Sequence, residues 1–244
     1  MRFQHEMGHA FATRNLGGTV DRIVLWPLGG FSAVLGPLHG VVSDELWVSI
    51  AGPITHIFQG GFWVAIYAAV EKGDFSNFTT SINLNNLRSE GFQGFMSALC
   101  VQAIVGNLIL FVFNLAIPAF PLDGGRALLA LLVMGEVKIQ AAAKITGATG
   151  FISGVALLVV GIYFYLANTS AGALFLVLIG MFLVHFGLQL LKHVAANRLS
   201  EHPLCCRDCY HELLGVRTVN NGSQDVSEVS QERRRRPYGA YEIS

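Results

Sequence analysis

His5-Glu6-Met7-Gly8-His9 is a run in which three of five side chains have metal chemistry to offer. On an α-helix, positions i and i+4 share a face, so His5 and His9 can bind one zinc ion. Glu6 then lies beside the metal as general base for a bound water. A second run, Pro121-Leu122-Asp123-Gly124-Gly125-Arg126, follows a long apolar stretch. It sets a carboxylate against two glycines where charge is otherwise scarce, and an ionisable residue at membrane depth marks a functional site. Together the two runs predict zinc-dependent hydrolysis inside a membrane.

A catalytic zinc needs a third protein ligand and an open fourth position for water. The metzincin pattern would put Gly at 12 and His at 15; Ala12 and Asn15 exclude it. Two carboxylates remain, Glu45 and Asp123. Glu45 stands where an apolar helix begins, and a solvated cap is the cheaper reading. Asp123 lies deeper, after Pro118 and Pro121 bend the chain, with glycines that allow close approach. It also suits the N-cap of a helix starting at Gly124. The predicted site is one zinc per chain, held by His5, His9 and Asp123, with Glu6 catalytic.

The elements that must position these residues follow from composition. The chain has 244 residues, 52% hydrophobic and 13% charged, against roughly 25% charged in soluble domains. Mean hydropathy is +0.51. The formal net charge of zero gives no sign of nucleic-acid binding. This is the composition of an α-helical polytopic membrane protein, with about five to six membrane helices and a small β-hairpin after the first. A helix over 1–14 is stopped by Gly17-Gly18. Short strands at 22–26 and 31–35 flank Pro27-Leu28-Gly29-Gly30. Residues 44–71, with Ser43 or Asp44 as cap, and 92–118 are each long enough to span a ~30 Å hydrocarbon core. A polar loop, 73–91, joins them. A shorter helix covers 124–134, and a polar stretch with Glu136, Lys138 and Lys144 follows. An apolar hairpin, 148–167 and 171–192, closes the bundle, and Gly150 and Gly154 have the G-x-x-x-G spacing that lets membrane helices approach. With the C-terminal tail in the cytoplasm, most Lys and Arg fall on one side.

Past the last span, Cys205, Cys206, Cys209, His202 and His211 crowd together. A small zinc site, palmitoylation and plain free thiols all fit this cluster. His185 and His193 read as helix residues and not as ligands. Residues 215–244 lack apolar periodicity and read as a disordered tail.

The motifs His5-Glu6-Met7-Gly8-His9-Ala10, Pro27-Leu28-Gly29-Gly30, Ala51-Gly52-Pro53 and Asn114-Leu-Ala-Ile-Pro118-Ala-Phe-Pro121-Leu-Asp123-Gly124-Gly125-Arg126 stand in the order found in the site-2 protease family, intramembrane zinc metalloproteases that this chain resembles over about residues 3–195. The resemblance implies cleavage of transmembrane protein substrates within the bilayer, in regulated intramembrane proteolysis. It divides the chain into a metalloprotease domain, 1–195, a Cys/His-rich juxtamembrane segment, 196–214, and the tail. His56 stands where the family usually has Asn after Ala-Gly-Pro; as a hydrogen-bond donor it can serve the substrate or the oxyanion. Asn114 is a second donor of that kind. Gly29 and Gly30 offer a strand edge to which an extended substrate can add. Only four residues precede His5, too few for the family's long apolar helix. An apolar extension of ~10 to 20 residues before Met1 is therefore expected. The alternative function is a non-catalytic relative that binds or retains membrane helices.

Overall fold

The computed structural model describes residues 2–26, 29–35, 42–76, 78, 91–168, 171–205, 210 and 213–214. The elements run α1 (Arg2–Asn15), β1 (Thr19–Trp26), β2 (Gly29–Leu35), α2 (Val42–Val70), α3 (Gly91–Ala116), α4 (Asp123–Met134), α5 (Ile139–Asn168) and α6 (Ala171–Ala195), then a short 3-10 turn at Leu199–Glu201.

α1 inverts the usual amphipathic pattern. His5, Glu6, His9 and Thr13 are buried, while Phe3, Met7 and Phe11, four apart along one stripe, are exposed. α2 repeats the inversion. Glu45, Ser49, Gly52 and His56 face inward, and Trp47, Ile57, Phe58 and Phe62 face outward. Helices with polar interiors and apolar exteriors suit a lipid surround. α1 ends as its glycines dictate. Gly17 takes φ 79°, and the Gly18 N–H closes onto the Thr13 carbonyl at 2.9 Å.

β1 and β2 pair antiparallel, with Trp26 opposite Gly29 and Thr19 opposite Leu35, and a register shift between Val20 and Arg22. The hairpin packs on α1. Its turn, Pro27-Leu28, lies outside the described residues, as do His39, Cys206, Cys209, His211, the tail from 215 and most of the 73–91 loop.

Among the described residues, three helices are long and apolar enough to cross a membrane: Gly91–Ala116, Ile139–Ala167 and Gly172–Ala195. α2 has the length, with 29 residues, but its inward polar stripe leaves it outside that group. It begins at Val42, so Ser43 and Asp44, expected as caps, lie in its first turn. α5 begins at Ile139, and Lys144, expected in a polar connection, is helical.

α5 and α6 pack through glycines spaced by seven. A β-carbon on Gly154 would stand 2.6 Å from the Val184 nitrogen, one on Gly161 2.8 Å from the Val177 nitrogen, and one on Gly187 2.7 Å from the Phe151 nitrogen. Gly150 lies beside both Ala119, at 3.4 Å, and Gly187 of α6, at 3.9 Å from its would-be β-carbon. The seam repeats every second helical turn, and G-x-x-x-G is not its period.

One buried cluster joins Leu129 of α4, Ile139, Ala142 and Ala143 of α5, and Leu190 of α6 with Leu199, Leu204, Cys205 and Tyr210. The chain after α6 is thus folded back under α4. His202 is 1% exposed, between Phe120 at 5.2 Å and His193 at 5.1 Å between ring centroids. Its Nδ1 accepts the Leu204 N–H at 3.2 Å. Burial, and after it the neighbouring His193, pushes the His202 imidazole down to about 4.

Two outcomes follow from this packing. Gly154→Ala should push α5 and α6 apart and lower stability by about 1–3 kcal/mol, the scale of overpacking; unfolding of the purified protein by denaturing detergent reads it. The docked segment after α6 should loosen in acid. An undocked His202 takes up its proton below about 6.5, but the docked one does so only near 4. Docking is therefore strongest above about 6.5 and weakens as pH falls toward 4, by up to about 3 kcal/mol. Hydrogen-exchange protection factors over 199–205 should decline across that window.

Candidate metal centre

Two elements bring three side chains to one point. α1 supplies His5 and His9, one turn apart, and the first residue of α4 supplies Asp123. His5 Nε2 lies 3.0 Å from Asp123 Oδ2, His9 Nε2 lies 3.2 Å from Asp123 Oδ1, and the two Nε2 atoms are 3.1 Å apart. All three residues are buried, and their ligand atoms lie within 4.8 Å of one another.

The other ring nitrogens fix what these atoms carry. His9 Nδ1 is 2.7 Å from the Val48 carbonyl, which can only accept, so Nδ1 bears the proton and Nε2 is a lone pair. His5 Nδ1 is 3.2 Å from His56 Nε2, and His56 Nδ1 is 2.9 Å from Asn107 Oδ1. With both imidazoles neutral, the inward-facing atoms are acceptors crowded at contact distance, and a cation between them relieves the repulsion. A tetrahedral zinc with bonds of 2.0–2.1 Å spaces its ligands by about 3.3 Å. The two Nε2 atoms, 3.1 Å apart, fit that spacing, and the Asp123 carboxylate meets one histidine through each oxygen. The donor set, two imidazoles and a carboxylate, is that of catalytic zinc with one position left for water.

Local sequence makes the convergence fit. Gly52 of α2 lies flat against the imidazoles: a β-carbon there would overlap the His9 ring and stand 2.9 Å from His5 Nε2. Gly124 and Gly125 play the same part at Asp123. β-Carbons there would strike backbone atoms of residues 117–120, the turn that turns α3 back into α4. Asp123 is not an N-cap. Leu122 holds that position and makes no side-chain cap bond, while the Asp123 carboxylate turns inward to the histidines.

Glu45 differs from its expected role as a solvated cap. It is 1% exposed, and its Oε1 accepts from Arg126 Nε at 2.9 Å. Arg126 Nη1 is 3.4 Å from Asp123 Oδ1, so one guanidinium bridges both carboxylates. This bridge and the His56–Asn107 pair are the residues that sequence reasoning missed. A signal existed: Glu45 and Arg126 are isolated charges beside apolar helices, and each needed a partner of opposite sign.

Glu6 is buried on α1 beside His5. His56, expected as a donor toward substrate, has both ring nitrogens engaged within the protein. Asn114 is half-buried near the end of α3, and its carbonyl abuts Gly124. Its side chain makes no hydrogen bond among the described residues. Gly29 and Gly30 open β2, paired with Trp26 and Leu25 of β1.

Residues 2–161 match Peptidase family M50, and the chain belongs to that family, the site-2 proteases. It is 34% identical over 129 residues to Zinc metalloprotease MJ0392 of Methanocaldococcus jannaschii, covering 52% of this chain and 31% of that protein. It is 28% identical over 179 residues to Putative zinc metalloprotease Rip3 of Mycobacterium tuberculosis, covering 73% of this chain and 41% of that one. With Stage IV sporulation protein FB of Bacillus subtilis it shares 30% identity over 142 residues, 58% of this chain and 40% of that one. The chain thus spans well under half the length of the relatives it matches. Zinc is the metal in the names of the first two, and the donor set found here fits it.

Gly52→Ala tests the close approach that the site needs. The added methyl should drive the imidazoles off the metal and lower zinc content well below one per chain, read by metal analysis of the purified protein.

Proposed function

We propose that this chain is an intramembrane zinc metalloprotease that hydrolyses peptide bonds in membrane-spanning helices, as in regulated intramembrane proteolysis. The observation that carries the reading is the buried convergence of His5, His9 and Asp123 next to Glu6, in a chain with three helices apolar enough to cross a membrane.

In this reading His5, His9 and Asp123 hold one zinc. When bound, zinc polarises the scissile carbonyl and lowers the pKa of a water toward ~7. Glu6 takes the proton from the attacking water and returns it to the leaving nitrogen, so the peptide C–N bond breaks as the water O–C bond forms. Glu6 is adjacent in sequence to the ligand His5, so its carboxylate stays beside the metal without occupying a ligand position. Burial of the site keeps competing bulk water out and strengthens each charge interaction. A substrate helix hides its carbonyls in internal hydrogen bonds and must unwind locally. The hairpin that begins β2 at Gly29 and Gly30 packs on α1, and its free edge offers an unwound segment backbone partners. Asn114, near the end of α3, is the remaining candidate to donate to the oxyanion.

The membrane arrangement belongs to the same proposal. α1, α2 and α4 join the three apolar helices in the bilayer as a polar-centred layer, for a total of five to six membrane elements. The segments after α1, between α4 and α5, and after α6 share the cytoplasmic side, which gathers most Lys and Arg there. The partners are the lipid bilayer and a transmembrane protein substrate. Residues 196–214 follow as a juxtamembrane segment whose described part packs beneath α4.

Glu6→Gln should retain one zinc per chain and lose cleavage of a membrane-helix substrate by at least ~100-fold. Loss of zinc together with activity would instead make Glu6 a structural or ligating residue, and undiminished cleavage would remove it from the mechanism.

A further inference from the structure

Behind His5 lies a polar chain that leads away from the metal and ends on a backbone carbonyl. Asn107 Nδ2 donates to the Ala103 carbonyl at 2.8 Å, one turn back on α3. That bond fixes the amide, because a flipped Asn107 would set its oxygen against the Ala103 oxygen. Asn107 Oδ1 therefore faces His56 Nδ1, at 2.9 Å, and can only accept. His56 Nδ1 must carry the proton, and neutral His56 then has its lone pair on Nε2. That lone pair faces His5 Nδ1 at 3.2 Å, so His5 Nδ1 must donate. His5 Nε2 is left as a lone pair aimed at Asp123 and His9.

We propose that Asn107 and His56 are positioning residues that set the tautomer and ring orientation of His5 for metal binding, by a relay from α3 through α2 to α1. The inference rests on the zinc reading above. It gives His56 a role other than contact with substrate, since neither of its ring nitrogens is free. His9 receives the same service from a single atom, the Val48 carbonyl at 2.7 Å. The two ligands are thus oriented by different means: His9 by backbone that any residue supplies, His5 by two specific side chains. His56 and Asn107 are 3% and 1% exposed, so bulk water does not reach either partner. A buried Asn107 that only packed would need no match between its amide orientation and the lone pair His5 requires. Here each of the three bonds has the polarity that the next demands.

The experiment uses the full chain in detergent, with zinc as the probe and a chelator competing for it. Asn107→Leu should weaken zinc binding by ~10- to 100-fold, the usual effect of removing the partner that orients a metal-binding histidine. Asn107→Gln, which keeps an acceptor for His56 and a donor for the Ala103 carbonyl, should restore binding to within a few-fold. His5→Ala serves as the control for loss of the ligand itself. Unchanged affinity in Asn107→Leu, with His5→Ala losing zinc, overturns the relay and leaves the zinc site standing. Equal weakening in Asn107→Leu and Asn107→Gln, with the His56 tautomer unchanged in both, also overturns it, since a packing role alone would give that result. A second readout is independent of metal: nitrogen-15 chemical shifts of the imidazoles in the metal-free protein. His56 should be protonated at Nδ1 in the wild type and lose that preference in Asn107→Leu. A wild type that takes up no zinc refutes the proposed enzyme, whereas a His56 protonated at Nε2 refutes the relay, so the two failures are told apart.

Discussion

The crossing of α1 over α2 at Gly52 is the contact on which the site depends. An imidazole has two nitrogens, and binding a metal through one leaves the other as a donor that must be satisfied away from water. α2 meets this demand for both histidines, through the Val48 carbonyl and through His56. It can do so only because Gly52 has no side chain between them, since a β-carbon would overlap the His9 ring. A helix backbone normally spends its carbonyls on its own hydrogen bonds. The Val48 carbonyl takes a second bond with its other lone pair, and the small residues of Ala51-Gly52-Pro53 leave room for the ring to reach it.

Charge balance then explains the bridge at Arg126. Asp123, Glu45 and Glu6 are three buried carboxylates, and Arg126 is one guanidinium. Arg126 stands between Glu45 and Asp123 and answers both carboxylates where an uncompensated charge would cost several kcal/mol. The same guanidinium links α2 to α4 through Glu45, so the helix that orients the histidines and the helix that carries Asp123 share one rigid connection. Removing Arg126 would leave Glu45 buried without this cation.

The three converging side chains were legible in the sequence because their chemistry is local. His5 and His9 share a helical face by spacing alone, and Asp123 stood out as a charge beside glycines in an apolar chain. The helix order, the hairpin and the stop at Gly17-Gly18 were legible for the same reason, being set by periodicity and turn chemistry within a few residues. What was missed depends on pairings between distant segments. Glu45 and Arg126 are 81 residues apart, and His56 and Asn107 are 51 apart. Neither spacing has a period to reveal it. Gly150 and Gly154 pointed to close helix packing, but the seven-residue spacing of Gly154 with Gly161 depends on which face each helix turns to the other. The count of five to six membrane helices came from adding α1, α2 and α4 to the apolar three. Those elements carry the polar interior, and so they are the ones that composition ranks lowest.

The position of Asp123 is also held from the far side of the protein. Its turn follows α3 and must stay close-packed against Gly124 and Gly125. Thr149 of α5 donates to the Pro118 carbonyl at 2.8 Å, which ties the turn to the apolar hairpin. Phe120 packs against Phe186 of α6 at 5.8 Å and against His202 at 5.2 Å. The segment after α6 thus contacts the same turn whose far end presents the carboxylate. This gives the apolar hairpin and the returning segment a part in the site, although neither supplies a ligand. Only Pro121 and Leu122 separate Phe120 from Asp123, so little chain lies between them to absorb a change, and the rings that pack on Phe120 bear on where the carboxylate sits.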